Sequence, residues 1–297
     1  MIYTITANPS LDYHMEFSEP IKIGEYNRAE KESYEAGGKG VNVSIFLNAV
    51  NIQSVALGFL GGFVKDYFLS KLKSYPNIQT MFTSIKENSR INVKVTAGKD
   101  IRLNAIGPNV SDEEFENFKR RATGIYDTDS IVLSGNVQDS LKDRMIELVR
   151  NLAEERTRIV IDTDTDLTEK CLEFNPYMVK LNDSNAGINE VNILKIGKDY
   201  TSKGIKHCLY SSPLCDYYYL IDKDLVLKAK KPDGFVSSTG SGDAMIAGWL
   251  FSKMRGANTE ESFRYAIAFS EKLNLESTNV SINDIDEYTT GIKVDKL

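Results

Sequence analysis

Cysteine is scarce and scattered: Cys171, Cys208 and Cys215 are the only three in 297 residues, and no CxxC pairs them. Such an odd, dispersed set argues against a disulfide framework or zinc site and fits a reducing compartment, the cytoplasm. The two histidines, His14 and His207, stand in no nucleophile or metal-ligand pattern, and neither is assigned a catalytic role. No apolar stretch approaches the roughly 20 residues that span a bilayer, so no membrane contact is expected. The opening MIYTITANP lacks a basic start and a long apolar core, so no signal peptide is expected. Positive charge is not in excess. A formal net charge of -6 argues against a general nucleic-acid binder, while leaving room for local basic pockets. Two nucleotide motifs are missing: GxxxxGK[ST], which excludes a Walker P-loop, and a GxGxxG after the first strand, which counts against a dinucleotide fold. Repeats, low-complexity runs and linkers are also absent, which predicts one domain over residues 1–297.

What is present is a rhythm of short Val/Ile/Leu runs and helical patterns. IYTITA (2–7), SIVLSG (130–135), RIVIDTD (158–164) and YMVKLN (177–182) read as strands, separated by segments such as SDEEFENFKRR and DRMIELVRNLAEE. Ser111 with Glu114 three residues on has capping-box spacing. Near-continuous apolar strands alternating with helices predict a three-layer α/β/α architecture around a mostly parallel sheet. Residues 12–35 and 90–105 break the rhythm by alternating apolar and polar side chains, with Gly98-Lys99-Asp100 as a hairpin turn. They predict a small antiparallel sheet set as a lid over the carboxyl ends of the main strands, where open α/β sheets bind ligands.

Two glycine-rich turns open helical runs. In AGGKGVNVS (36–44), Gly38 and its neighbours let backbone approach a ligand, and Lys39 adds positive charge beside a helix N-terminus. In GSGD, Gly240, Ser241 and Gly242 are able to turn their N–H groups toward a phosphate, with Asp243 in the first helical turn. Asp243 there is either a partner of the helix dipole, worth roughly 0.3–1 kcal/mol, or a general base for phosphoryl transfer. Each motif alone is ordinarily a turn. Asp12 is likewise a turn former or a ligand of sugar hydroxyls; Arg28, Lys39 and Arg90 are surface charges or partners of a sugar phosphate. The acidic run DTDTD (162–166) is either a Mg²⁺ site or a solvated strand-end loop.

In order along the chain, TANPSLDY, NRAEKESYEAGGKGVNVS, ALGFLGGFVKDYF, RINVKV, SIVLSG and GSGDAMIAGWL closely resemble the ribokinase-like (PfkB) carbohydrate kinases. The nearest look is the branch of 1-phosphofructokinase and tagatose-6-phosphate kinase, and the resemblance covers almost the whole chain. It implies a ribokinase-like fold with a β-sheet lid, a homodimer formed through paired lids, and an ATP- and Mg²⁺-dependent kinase of a phosphorylated ketohexose. By resemblance Asp243 matches the catalytic base, and Gly240, Ser241 and Gly242 the anion hole. Asp12, Gly38, Lys39 and Asn42 match sugar-contacting positions. Arg90 and Asn92 match the lid strand near the substrate phosphate, with Arg28 a weaker match. Ser134 matches the strand end under the substrate, and Lys180, Asn182 and Ser211 the nucleotide side. No metal ligand is assigned.

The departures from the pattern fall on that nucleotide side. The expected KPNxxE is KLNDSN, with Asn185 where a magnesium-linked Glu is expected. A glycine-bearing S-x-G-x-x-G is replaced by SSPLCD (211–216), SGSLP by SGNVQ, and a small-residue helix by YAIAFSEKLNLES (265–277). Two other readings therefore stay open: a catalytically weakened binding homologue with a regulatory role, and a kinase of an unphosphorylated sugar or nucleoside.

Overall fold

The computed structural model describes residues 1–123, 129–155, 157–236, 238–275 and 280–297, so the last two residues of 265–277 lie outside it. The chain opens with β1 (Ile2–Thr6), leaves the main sheet for β2 (Ser10–Glu16) and β3 (Lys31–Gly37), and returns through α1 (Lys39–Ala49) to β4 (Ser54–Gly61). Helix α2 (Gly62–Leu72) and short strands β5 (Ile78–Thr80) and β6 (Thr83–Ile85) lead to a second excursion, β7 (Arg90–Thr96) and β8 (Asp100–Leu103). Alternation then takes over with α3 (Asp112–Ala122), β9 (Ser130–Ser134), α4 (Asp139–Glu154), β10 (Arg158–Asp162) and α5 (Thr165–Cys171). It continues through β11 (Met178–Leu181), α6 (Asp183–Ala186), α7 (Glu190–Ser202) and β12 (His207–Tyr210). The hairpin β13 (Tyr217–Ile221) and β14 (Val226–Lys230), helices α8 (Ser241–Met254), α9 (Thr259–Lys272) and α10 (Ile282–Gly291), and β15 (Asp295–Lys296) complete it.

The main sheet runs β15-β14-β13-β12-β11-β10-β9-β1-β4-β5, with β6 also on β4. It is parallel from β5 to β12 and antiparallel at β13, β14 and β15. Strand β9 (SIVLS) is buried along its whole length, because successive side chains enter opposite cores. Val132 packs with Phe46 of α1 and with Trp249 and Phe263 of α8 and α9. Ile131 packs with Phe115, Leu148 and Leu167 of α3, α4 and α5 on the other face. Full burial of such side chains stabilises by roughly 1.5–3 kcal/mol each, which fixes the three layers. The Ser111–Glu114 capping box starts α3 as its spacing predicts.

The small sheet has the order β3-β2-β7-β8, from Ser10 to Gly37 and from Arg90 to Leu103. Here one expectation needs correction. Pairs β2–β3 and β7–β8 are antiparallel, but the central pair β2–β7 is parallel, with Ser10 opposite Arg90 and Asp12 opposite Asn92. Alternation reports only that each strand has one wet face, which both pairings satisfy. The direction follows from topology: β2 and β7 each leave the main sheet at its carboxyl edge and run outward together.

Candidate active site

Two helices begin at this carboxyl edge with a glycine in the left-handed region. Gly38 (φ 133°) caps α1 and Gly240 (φ 90°) caps α8. At Gly38 a side chain is also excluded by contact, since a Cβ would stand 2.5 Å from Thr6 Cγ2. In the first turns, Val41 N–H of α1 donates to Thr6 Oγ1 and Ser241 N–H of α8 to the Ser238 carbonyl, while the N–H groups of Gly242 and Asp243 have no intrahelical acceptor and face the anion-binding end of α8. The helices meet at their first turns, where Asn42 Nδ2 donates to Asp243 Oδ2 at 2.8 Å.

Asp243 is buried, and burial raises its pKa to about 7 against the opposing pull of Lys39. Asp162, at the end of β10, is 1 % exposed and faces the same space. Lys39 Nζ donates to both its carboxylate oxygens (3.1 and 3.2 Å), and Ser134 Oγ to Oδ2 at 3.2 Å. Burial alone would raise the Asp162 pKa, but Lys39 and Lys180 hold it below the ordinary carboxylate value. Asp162 in turn raises the Lys39 pKa. Lys180 is buried, desolvation lowers its pKa, and its ammonium donates to the Leu181 carbonyl. The result is an alternating set of charges: Asp162 ionised, Lys39 and Lys180 beside it, and Asp243 poised to gain or lose a proton.

A cavity of about 160 Å³ opens in front of these groups, lined by Lys39, Asp162, Lys180, Asn182, Ser211 and the 240–243 turn, among others. Gly242 matters to its shape, since a Cβ there would stand 3.2 Å from Lys180 Nζ. Glycine-bounded N–H groups at a helix N-terminus with two ammonium groups alongside fit nucleotide phosphates. Mg²⁺ finds less protein. The Asn185 side chain is held in a capping box with Asn182 and donates to Thr165 Oγ1 at 2.9 Å. Among the described residues no group of three or more His, Cys, Asp or Glu converges on a metal site. That donor set suits an ion held mainly by phosphates and water, with Asp162 and Asp243 the carboxylates lining the cavity.

A second cluster lies at the root of the lid. Asp12 accepts from Ser10 Oγ (2.6 Å) and Asn92 Nδ2 (3.0 Å) and pairs with Lys94 Nζ at 2.8 Å. Gly37 makes room for it, because a Cβ there would stand 2.5 Å from Asp12 Oδ2. Arg90 reaches back across the root, donating to the carbonyls of Ala105 (3.1 Å) and Asn8 (2.9 Å).

The three cations of the sequence reading stand in different settings. Lys39 belongs to the Asp162 pair, Arg90 braces the lid, and Arg28 is exposed in the stretch between β2 and β3. The remaining expected residues divide into two neighbouring groups. Ser134, Lys180, Asn182, Ser211 and 240–243 surround the small cavity or its carboxylate, while Asp12 and Asn92 meet at the lid root. Two residues were missed. Asp162 was hidden in the ambiguous DTDTD run, although its position at the end of RIVI marks it. Lys94 shares a strand face with Arg90 and Asn92 by period 2, so RINVK carried its signal.

The fold and the two glycine-capped helices define a carbohydrate kinase, and the chain belongs to the pfkB family of carbohydrate kinases, whose profile matches residues 6–282. Its curated relatives are named as sugar-phosphate kinases. The chain is 33% identical to the 1-phosphofructokinase of Bacillus subtilis (strain 168), over 93% of this chain and 95% of that one. It is 31% identical to the 1-phosphofructokinase of Borreliella burgdorferi, over 100% of this chain and 99% of that one. Phosphofructokinase-2 from Escherichia coli, solved with substrates and products, superposes with a TM-score of 0.87 at 21% identity, covering 97% of this chain and 98% of that one, which establishes the ribokinase-like fold. Kinases of this family take ATP as phosphoryl donor, typically with Mg²⁺. Among the described residues no helix is long and apolar enough to cross a membrane.

Proposed function

We propose that the chain transfers the γ-phosphoryl of ATP to a hydroxyl of a phosphorylated ketohexose (fructose-1-phosphate, fructose-6-phosphate or tagatose-6-phosphate), with Asp243 as general base. The observation that carries this reading is the burial of Asp243 at the mouth of α8, with its pKa raised to about 7. A base poised near neutrality, held by Asn42, matches the demand of proton transfer from an attacking hydroxyl. The N–H groups of 240–243, with Lys39 and Lys180, stabilise charge on the transferred phosphoryl. Mg²⁺, when bound, neutralises the donor's phosphates. Asp12 and Asn92 hold sugar hydroxyls at the lid root, while Lys94 and Arg90 supply positive charge near the substrate phosphate. Closure of the lid excludes water as a competing acceptor.

The lid offers a surface to a second copy of the chain, since β3 and β8 are open edges and Ile23 and Tyr26 are fully exposed. Sedimentation velocity would show a dimer, and a monomer at micromolar concentration would overturn it.

A coupled ADP-release assay tests the central claim. The three sugar phosphates are compared with fructose and adenosine, and turnover confined to the two unphosphorylated acceptors would overturn it. A weakened binding homologue is the second reading, favoured by the engagement of Asn185 within its own helix cap. Calorimetry with ATP and Mg²⁺ separates the two, since no binding at millimolar ATP would favour the second.

A further inference from the structure

A larger cavity of about 1050 Å³ lies beside the phosphate cavity, and Lys231 lines both. The smaller one ends at Ser212, Tyr218, Lys231 and Ser270; the larger begins with Lys231, Ile267 and Glu271. A nucleotide whose phosphates lie on the 240–243 turn would pass its ribose through this junction and its base into the larger space.

The junction holds two buried polar atoms with no hydrogen bond. One is the hydroxyl of Tyr218, a residue 1 % exposed; the other is Glu271 Oε1. They face one another as hydrogen-bonding neighbours, each perturbing the other's ionisation, and the Ser270 side chain also stands beside the Tyr218 hydroxyl, but none of these contacts has acceptable hydrogen-bond geometry. The second carboxylate oxygen of Glu271 accepts from Tyr288 OH at 2.8 Å, which fixes the side chain. Lys231 is held alongside, over the Tyr218 ring and donating to the Ser212 carbonyl. Burial raises the Glu271 pKa, as expected of an acceptor kept from water with too few donors. A polar atom in that condition costs free energy until a donor arrives.

We infer that Glu271, with Tyr218, recognises a ribose hydroxyl of the nucleotide donor and sets selectivity for ribonucleotides. This rests on ATP being the donor. A vicinal diol provides the missing O–H donor for Oε1 and an acceptor for the Tyr218 hydroxyl. Side chains from α9, β13 and the end of β14 would thereby do what glycine-rich backbone cannot do in SSPLCD, which has no glycine.

The test compares ATP, 2′-deoxyATP and 3′-deoxyATP as donors for the wild-type enzyme, Glu271→Gln and Glu271→Ala. The wild type is expected to show a KM on the order of tenfold higher for at least one deoxynucleotide, with kcat less affected. Glu271→Ala should raise KM for ATP and abolish the discrimination. Glu271→Gln, whose amide oxygen still accepts, should keep part of it. A purely structural role would raise all three KM values together, and an unchanged ATP to deoxyATP ratio in Glu271→Ala would overturn the inference. Calorimetry with ADP and 2′-deoxyADP on the same proteins reads the same ratio without turnover. Failure of the kinase reading and failure of this one are thereby distinguished.

Discussion

Asn42 on α1 and Asp243 on α8 are joined by a 2.8 Å hydrogen bond across 201 positions of sequence, and both side chains are buried. The bond ties the two glycine turns into one unit of fixed geometry. Asp243→Asn keeps the volume and a hydrogen-bonding oxygen but removes the proposed base. Turnover is expected to fall by about 10²–10⁴-fold with the fold retained, checked by ADP release and circular dichroism. Full activity in this variant would remove Asp243 from the chemistry.

The raised pKa of Asp243 has two consequences for pH. As the base must be ionised, kcat/KM should decline as pH falls below about 7. Stability moves the other way. A carboxyl with a folded pKa of about 7, above its unfolded value of 3.8, contributes stability that is full below the unfolded value. That contribution is lost as pH rises through the folded value. The unfolding free energy of Asp243→Asn, measured by urea denaturation, should therefore gain on the wild type as pH rises from 5 to 8, by an amount on the order of a few kcal/mol. A constant difference across that range would show an unperturbed carboxyl.

Lys39 and Asp162 form the site's other fixed pair. Lys39→Met leaves Asp162 buried without its main partner, and a loss of roughly 2 kcal/mol is expected. This is below the ~3–5 kcal/mol of a fully buried pair, because the lysine side chain is 43% exposed and screened by water. Adding Asp162→Asn should recover most of that stability but not activity. Urea denaturation of the two single variants and the double variant measures the coupling.

Asn185→Glu tests the nucleotide side. Glutamate is a favoured third residue of a capping box, so α6 should persist. The new carboxylate, beside the cavity-lining Asn182, should lower the Mg²⁺ concentration needed for half-maximal ADP release several-fold. EDTA should abolish release in both proteins, and an unchanged Mg²⁺ requirement would place residue 185 outside the metal's reach.

The sequence carried the layers well, because parallel strands must be apolar on both faces and β9 and β10 leave little else to read. Glycine turns at Gly38 and Gly240 were equally legible, since a left-handed residue at a helix start has few alternatives. Partner choice was less so. Lys39 and Arg90 read as cations for a phosphate, but the pattern did not show that one pairs with Asp162 and the other donates to two carbonyls. Which acceptor a long cation finds depends on elements far apart in sequence, and local pattern is silent about that. Tyr218, Lys231 and Glu271 were invisible as a group for the same reason. They come from β13, the residue after β14, and α9, and only the packed sheet brings them to one junction.

The parallel centre of the lid bears on how the enzyme is made. Asp12 bonds Asn92 across 80 positions, so no hairpin can nucleate this pair. Loop-closure entropy must be overcome first, which favours assembly of the β1–β4 layer before β2 can accept β7. The root of the lid is thus completed only once β7 has brought Lys94 to Asp12. A chain whose main sheet forms without that pairing would keep its apolar core yet leave the root of the lid open.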